Sequence, residues 1–521
     1  MKTIETSQVI IVGAGLGALY AALKLAPRPV VMISPERLGK GASSAWAQGG
    51  VAAAMHMSDS AESHAADTIK AGDGMVDADV ADLVTQEARA HILNLTELGT
   101  PFDRTENGDY VMSREAAHSF ARVVRVKGDQ AGAEIMAALI ERVRATPSIQ
   151  VLEGTMAIDL DVTDCRVGGV VLQSADDARS APLILRGSAV LLAGGGSGGL
   201  YALTTNPPRI RGQVIGLAAR AGAVIADAEF VQFHPTAMDV GEDPAPLATE
   251  ALRGEGAILT NNRGERFMQA LHPDAELAPR DVVARAIFAQ SQAGRRPMLD
   301  TREVLGEAIK TQYPAVAEAC ARNGIDPAIE PIPVAAAAHY HMGGIATDTE
   351  GRASLDNLWV CGEASSTGLH GANRLASNGL LEALVFARIC AQSIAKSVPE
   401  TAVSPIDVTF EDGGTPPDPD AVAQLRQTMT THVGVVRNAT GLKTALRTIA
   451  ALEAANTASV SFLNMTATAT LIAVAALNRE ESRGAHCRDD FPNTFQGQGQ
   501  RSRLTLKDAL AIRSQICKEA S

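Results

Sequence analysis

The sequence predicts an α/β protein in which a parallel-sheet domain is interrupted by an inserted domain and followed by a helical bundle. Three observations predict this. The stretch Gln8 to Ser34 reads as strand, glycine turn, helix and strand. Residues 240 to 335 change character, becoming loop-prone and then Ala-rich and helical, before strand-like sequence resumes. Beyond a Pro/Gly/Asp-rich linker at 401–419, residues 420–432, 436–456 and 459–481 carry helical spacing.

In the first stretch, residues 8–12 are a short β-branched run, 16–25 have helical periodicity and 30–33 form a second buried strand. Between the first two, Gly13, Gly15 and Ala18 match G-x-G-x-x-G/A, with Ala14, Leu16 and Gly17 in the same turn. In this βαβ context the pattern is that of a dinucleotide site. Gly13 permits the tight turn, Gly15 lets a pyrophosphate approach the backbone, and Ala18 lets the helix pack close to the strand. The helix N-terminus offers free N–H groups and a partial positive charge to the phosphates. The ribose-binding acid that commonly ends the second strand is absent. Ser34 and Pro35 stand there, and the first acid is Glu36. The pattern leaves NAD and FAD both open.

The chain has 521 residues, enough for about three domain-sized units. A hydrophobic content of 46% and a charged content of 20% describe an ordinary globular protein. The net charge of −13 and pI near 5.4 argue against a nucleic-acid binder. The six cysteines are scattered without a C-x-x-C, so neither a metal site nor an iron–sulfur site is expected. A strand begins by residue 8, leaving no room for a signal peptide. No run of 18 apolar residues occurs, so no transmembrane helix is expected, and a cytoplasmic location is.

Residues 39–51 (GKGASSAWAQGGV) are dense in small residues. Here Ser43, Ser44, Ala45, Gln48, Gly49 and Gly50 are candidates to wrap a flat ligand closely. Helices are expected at 61–71, 79–98, 130–144 and 212–221, and strands at 151–162, 167–173 and 189–193, the last ending in three glycines. The strand opened by Val231 is expected to terminate at His234-Pro235. Arg280 opens a helix, 358–361 is a strand, and a helix follows Glu382 to about Lys396.

The residues with chemical potential are dispersed: Glu115, His234, Thr249, Glu250, Arg253, Arg280, His339 and Arg374. Three arginines and two histidines suit a small dianion, because Arg pairs bidentately with carboxylates and His adds donors. Taken singly, a lone Arg is usually a surface or ion-pair residue and a lone His a structural one. The sequence alone leaves open whether these groups meet.

They fall within an ordered series of motifs: GAGLGA near the start, AQGGVAA at 47–53, TTNP at 204–207, FHPTA at 233–237, TEALRGEGA at 249–257, PRDVVARAI at 279–287, HYHMGG at 339–344, GLHGANRLASN at 368–378 and ESRGAHCRDDFP at 481–492. In this order the chain resembles the succinate dehydrogenase/fumarate reductase flavoprotein family over nearly its whole length, and within it the branch that oxidises L-aspartate. The resemblance implies an FAD-binding domain (1–238 and 338–400), an inserted α+β capping domain that moves (239–337), the linker, and a C-terminal helical domain (420–521). It implies oxidation of L-aspartate to iminoaspartate with oxygen, giving hydrogen peroxide, or fumarate as acceptor, as the first step of quinolinate and NAD synthesis. Hand-over of the product to quinolinate synthase would follow. The alternatives are a soluble fumarate reductase or succinate dehydrogenase flavoprotein and a non-catalytic FAD-binding protein.

By the same resemblance His234, Thr249, Glu250, His339 and Arg374 contact the substrate, and Arg280 transfers a proton with Glu250 or Asp281 as relay. Ala157, Glu363, Gly379 and Leu380 contact the flavin. Glu115 is the candidate for the substrate ammonium; otherwise it would pair with Arg114 or Arg122 on a surface. Four positions depart from the family pattern. Ser43 stands where covalent members carry the flavin-linking His, and residues 35–55 hold no His, so FAD is expected to be non-covalent. Residues 114–119 read Arg-Glu-Ala-Ala-His-Ser in place of R-E-G-G-H-S, Gln213 replaces a carboxylate near the flavin, and Gly379 replaces a Ser.

Overall fold

The computed structural model describes residues 1–399 and 401–519. Residues 400, 520 and 521, which end two of the expected segments, lie outside the described residues. At the centre is a five-stranded parallel sheet in the order Leu358–Val360, Ala189–Leu192, Val9–Val12, Val30–Ile33, Ile149–Leu152. The middle three strands are buried throughout, as parallel strands covered on both faces must be. Helix Leu16–Leu25 packs along helix Asn378–Ser397, so the domain is closed by sequence from both sides of the insertion. That second helix begins at Asn378, five residues before the expected start, with Ser377 turning the chain into it at φ 63°.

Two expected strands differ in the structure. Residues 151–162 form two strands, Ile149–Leu152 and Thr155–Thr163, with Gly154 at φ 68° between them. The first joins the parallel sheet. The second pairs with Arg166–Ser174 in a separate sheet completed by Leu183–Arg186 and Thr3–Glu5. Both halves are apolar, so hydrophobicity hides the turn that the glycine permits.

His234-Pro235 does not end its strand. Val231–Met238 runs on, antiparallel to Ile332–His341, with two breaks in register. One lies between His234 and Ala237, where a bulge absorbs the missing N–H of Pro235. At the other, Gln232 faces Tyr340 and Phe233 faces Ala338, which leaves His339 as the extra residue. Met298–Asp300 and Ile258–Thr260 extend this sheet. With helices Arg280–Gln292 and Pro314–Arg322 they bury a separate core that includes Leu259, Val283, Ile287 and Val316.

The C-terminal bundle contains Pro419–His432, Ala439–Ala455 and Val460–Asn478, and adds Leu506–Lys518, which the spacing does not predict. Helix Val460–Asn478, with mean hydropathy 1.8, is long and apolar enough to cross a membrane by length and composition, although the sequence has no unbroken run of 18 apolar residues. Interspersed Thr and Asn residues conceal it from a search for an unbroken run. Its apolar window is 83% buried inside the protein, and its polar side chains have partners there. Asn464 donates to the Ile158 carbonyl (2.8 Å) and Thr468 to the Gly212 carbonyl (2.8 Å).

Candidate functional site

A cavity of about 860 Å³ opens at the C-terminal ends of the parallel strands. Every residue proposed above for the cofactor lines it except Ala45, Gly49 and Gly50. Ala45 is held inside the turn Ser43–Trp46. A Cβ on Gly50 would sit 1.8 Å from the Val124 carbonyl oxygen, so that glycine serves strand packing. A Cβ on Gly49 would lie 3.0 Å from Glu115 Oε1, on the substrate side.

The cavity fits FAD. Gly13 has φ +123° and a Cβ there would be 2.3 Å from the Ala193 carbonyl oxygen, so only glycine makes this turn. Gly15 caps helix Leu16–Leu25 without a side-chain bond, leaving N–H groups for phosphates; Leu16 N–H alone donates to Ser44 Oγ (3.2 Å). Among the described residues Gln48 Oε1 is buried without a partner. Ser34 donates to the Glu36 carbonyl (2.5 Å), and the Glu36 carboxylate pairs with Arg209 (2.5 Å). Ser43 bonds Asn206 Oδ1 (3.2 Å). Glu363 accepts the His341 N–H (2.9 Å), and burial pushes its carboxyl up to about 7. Gln213 donates to the Ser461 carbonyl (2.9 Å) and accepts from Asn464 (3.2 Å), so its amide ties the helical domain to the cavity wall.

At the far side the cavity reaches His339, Tyr340 and Arg374. Adjacent residues of a regular strand point to opposite faces; the bulge at His339 lets both His339 and Tyr340 line the cavity. Behind them the dispersed residues converge. The His234 and His339 rings stand 4.9 Å apart. Arg280 Nη1 and Arg374 Nε both donate to Gln232 Oε1 (3.2 Å each). Glu250 takes Arg280 Nη2 at 2.7 Å and Arg253 Nη2 at 2.8 Å. Glu115 accepts from Ser377 Oγ (3.0 Å). All these charged groups are buried, Arg280 being the most exposed at 8%. TTNP supports the cluster from behind: Thr205 bonds His339 Nδ1 (2.8 Å) and Asn206 donates to the His339 carbonyl (2.8 Å).

The charges divide clearly. Burial, then Arg280, holds the His234 pKa well below the usual range, and its Nδ1 accepts the Thr236 N–H (3.2 Å), so the ring is neutral with its proton on Nε2. Burial and Arg374 do the same to His339. Burial and Arg280 lower Arg374 to about 10, which leaves it cationic at neutral pH. Burial would raise Glu250, but Arg280 and Arg253 outweigh it and keep the carboxylate ionised. Burial, with Glu250 adding, pushes Glu115 up to about 7. Three guanidiniums thus face one firmly ionised carboxylate and one poised near neutrality. That surplus suits a dicarboxylate.

Three sequence expectations are corrected here. Glu250 has its two oxygens bound by Arg253 and Arg280, so it braces Arg280 and is not free for substrate. Asp281 pairs with Arg285 (2.7 Å) and is no relay for Arg280. Glu115 is not on a surface: Arg114 bonds the His118 carbonyl, and Arg122 pairs with Asp59 and Asp67. Gln232, Ser377 and Tyr340 were missed. Gln232 lies two residues before His234 on one strand, a spacing that flags it; nothing local flags Ser377.

A dinucleotide cavity opening onto a cationic pocket of this kind is the arrangement of a flavoprotein oxidoreductase acting on small dicarboxylates. Residues 8–380 match the FAD binding domain family and residues 454–515 the fumarate reductase flavoprotein C-terminal family. The chain is 52% identical over 494 residues to an L-aspartate oxidase of Caulobacter vibrioides, covering 93% of each chain. It is 46% identical over 503 residues to an L-aspartate oxidase of Agrobacterium fabrum, covering 96% of this chain and 94% of that one. A solved E. coli quinol fumarate reductase FrdA variant superposes with a TM-score of 0.86 at 27% identity, covering 96% of this chain and 94% of that one. The chain belongs to the L-aspartate oxidase family, and is an FAD-dependent enzyme with the α/β fold and helical C-terminal domain that the motifs imply.

Proposed function

We propose that this chain oxidises L-aspartate to iminoaspartate, using non-covalent FAD, and that fumarate or oxygen takes up the electrons. The observation that carries the reading is the convergence of Glu115, His234, Arg280, His339 and Arg374 from five separate segments at one side of the cofactor cavity. Arg374 and His339 hold one carboxylate, and His234 with Thr249 from the capping segment hold the other. Fixing both ends replaces translational freedom with orientation. The bound flavin supplies two-electron chemistry.

An amino acid becoming an imine gives up a hydride and a proton. Glu115 is placed to accept the ammonium, and with its carboxyl near neutrality it can take that proton. In the reverse sense, fumarate gains a hydride at one carbon and a proton at the other. Arg280 is the proton donor, and Glu250 and Arg253 behind it return the proton along contacts of 2.7 and 2.8 Å. Since these groups are buried from both sides, substrate entry requires residues 239–337 to swing away as a cap. Their separate core supports that movement.

Purified yellow protein mixed with L-aspartate under argon tests the reading. The visible absorbance should bleach with one equivalent of iminoaspartate formed, and fumarate should restore it. Bleaching by succinate and not by aspartate would reject it. We further propose a cytoplasmic enzyme whose product passes to quinolinate synthase, since an imine is hydrolysed in water and needs an immediate consumer. A coupled assay in which excess synthase fails to trap the product would count against that step.

A further inference from the structure

Arg280 and Arg374 are held differently. Arg280 leans on Glu250. Among the described residues no carboxylate pairs with Arg374; its Nε goes to the neutral amide of Gln232 and its guanidinium carbon lies 4.3 Å over the Tyr340 ring. The Tyr340 hydroxyl donates to Glu382 Oε2 (3.0 Å) and lies 3.2 Å from His370 Nε2. Glu382 is 1% exposed and also accepts from Thr367 Oγ1 (2.6 Å) and His370 Nε2 (3.0 Å). His370 stands edge-on to the phenol, its ring centre 5.2 Å away. A buried anion therefore pulls on the phenol proton, and the ring it enriches faces a cation. Gly379 completes the arrangement. A Cβ there would lie 2.9 Å from both Arg374 Nη1 and Tyr340 Cε2, so the residue that departs from the family's usual Ser leaves this stack undisturbed.

We propose that Tyr340 is the positioning residue for Arg374: it holds the guanidinium by its flat face, so that the N–H edge and the full positive charge stay available to a substrate carboxylate. An acid in the same place would satisfy those N–H groups and cancel the charge. The proposal rests on the reading of Arg374 as a carboxylate clamp and deepens it. It makes Glu382, His370 and Thr367 the support of the clamp, although none of them contacts substrate.

The test uses the FAD-loaded enzyme, steady-state constants for L-aspartate and fumarate, and calorimetric binding of succinate. Arg374→Ala comes first; if it leaves KM and succinate binding unchanged, the clamp reading itself fails. With that reading intact, Tyr340→Leu should weaken succinate binding and raise both KM values on the order of 10-fold, the upper range for a desolvated cation–π contact, with kcat changed less than about 3-fold. Tyr340→Phe keeps the ring and should restore KM to within about 3-fold of the parent. Unchanged binding in Tyr340→Leu, or equal loss of kcat and binding, would overturn the proposal. Should Tyr340→Leu fail to fold, Tyr340→Phe still decides. A loss as large as that of Arg374→Ala would place the contact in the hydroxyl and overturn it, and near-parental binding would uphold the ring.

Discussion

Where the cavity meets the first glycine turn it is walled by backbone. Gly13 and Gly15 belong to one three-residue turn between strand Val9–Val12 and helix Leu16–Leu25, and neighbouring atoms lie too close to admit a side chain at Gly13. Where it meets Arg374 it is lined by side chains, among them His339 and Tyr340, and behind these lie buried ionisable groups drawn from segments as far apart as Glu115 and Arg280. In the proposed reading the glycine turn would meet phosphate through backbone shape and N–H groups, which carry no titrating charge. The other end would work by charge, with Arg253 and Arg280 paired to Glu250 and Arg374 held by Gln232 and the Tyr340 ring. Substitutions at the first end should therefore alter cofactor content, and substitutions at the second should alter turnover or substrate choice.

The largest expected effect tests that division directly. Arg280→Leu should keep its FAD and lose fumarate reduction by ~10²–10⁴-fold, the range for removal of a general acid. Near-normal turnover in a folded, yellow variant would break the comparison. Next, Glu115→Gln should cost L-aspartate ~2–5 kcal/mol in kcat/KM, as for one member of a buried charge pair, while fumarate, which has no ammonium, is reduced nearly as before. Equal losses on both substrates would make Glu115 structural.

The pH dependence sharpens the same point. Glu115 must be ionised to hold the ammonium, and its carboxyl is raised to about 7 by burial and by Glu250. The kcat/KM for aspartate should accordingly rise with pH through about 7 and level off above it. Glu115→Gln should lack that limb. A parental profile flat from pH 5 to 9 in kcat/KM would contradict the assignment.

At the nucleotide end, Gly13→Ala forces a methyl into a contact of 2.3 Å at φ +123°, a strain of ~1–3 kcal/mol. FAD content per chain should fall while KM of the loaded fraction holds; full FAD content would refute the backbone-cradle account. Acid precipitation should leave the FAD in the supernatant, since Ser43 occupies the linking position; colour in the washed pellet would contradict this. The smallest effect is expected at the rim. Arg426 pairs with Asp243, whose side chain is 54% exposed, and also donates to the Tyr201 carbonyl (3.2 Å), so Arg426→Ala should cost ~1 kcal/mol of stability with both ends of the cavity unaffected.

The same division explains what the sequence could tell. The βαβ unit from Val9 to Ile33 is local, and its boundaries were readable nearly to the residue. The two bulges flanking His234 were not, because they arise from pairing with a strand a hundred residues away. Helix Leu506–Lys518 is not among the expected helices, although Thr505 and Asp508 form the capping box that announces it. At the site, residue types suggested a dianion, but burial decides what each acid does. Glu250 is consumed by two arginines and Glu115 is left near neutrality, and no spacing distinguishes them.

Helix Val460–Asn478 has a consequence in time. It packs across helix Gln213–Arg220 at Gly216, where a Cβ would lie 2.1 Å from the Asn464 carbonyl oxygen. During synthesis roughly 240 residues separate the two partners, about 12–50 s at ordinary elongation rates. Over that interval helix Gln213–Arg220 packs on strand Thr155–Thr163 but lacks its partner Val460–Asn478. When its partner emerges, that segment has the length and hydropathy of a membrane span, with Asn464 and the threonines at 466, 468 and 470 as its polar marks. The nucleotide domain is thus finished by one of the last parts of the chain to be made.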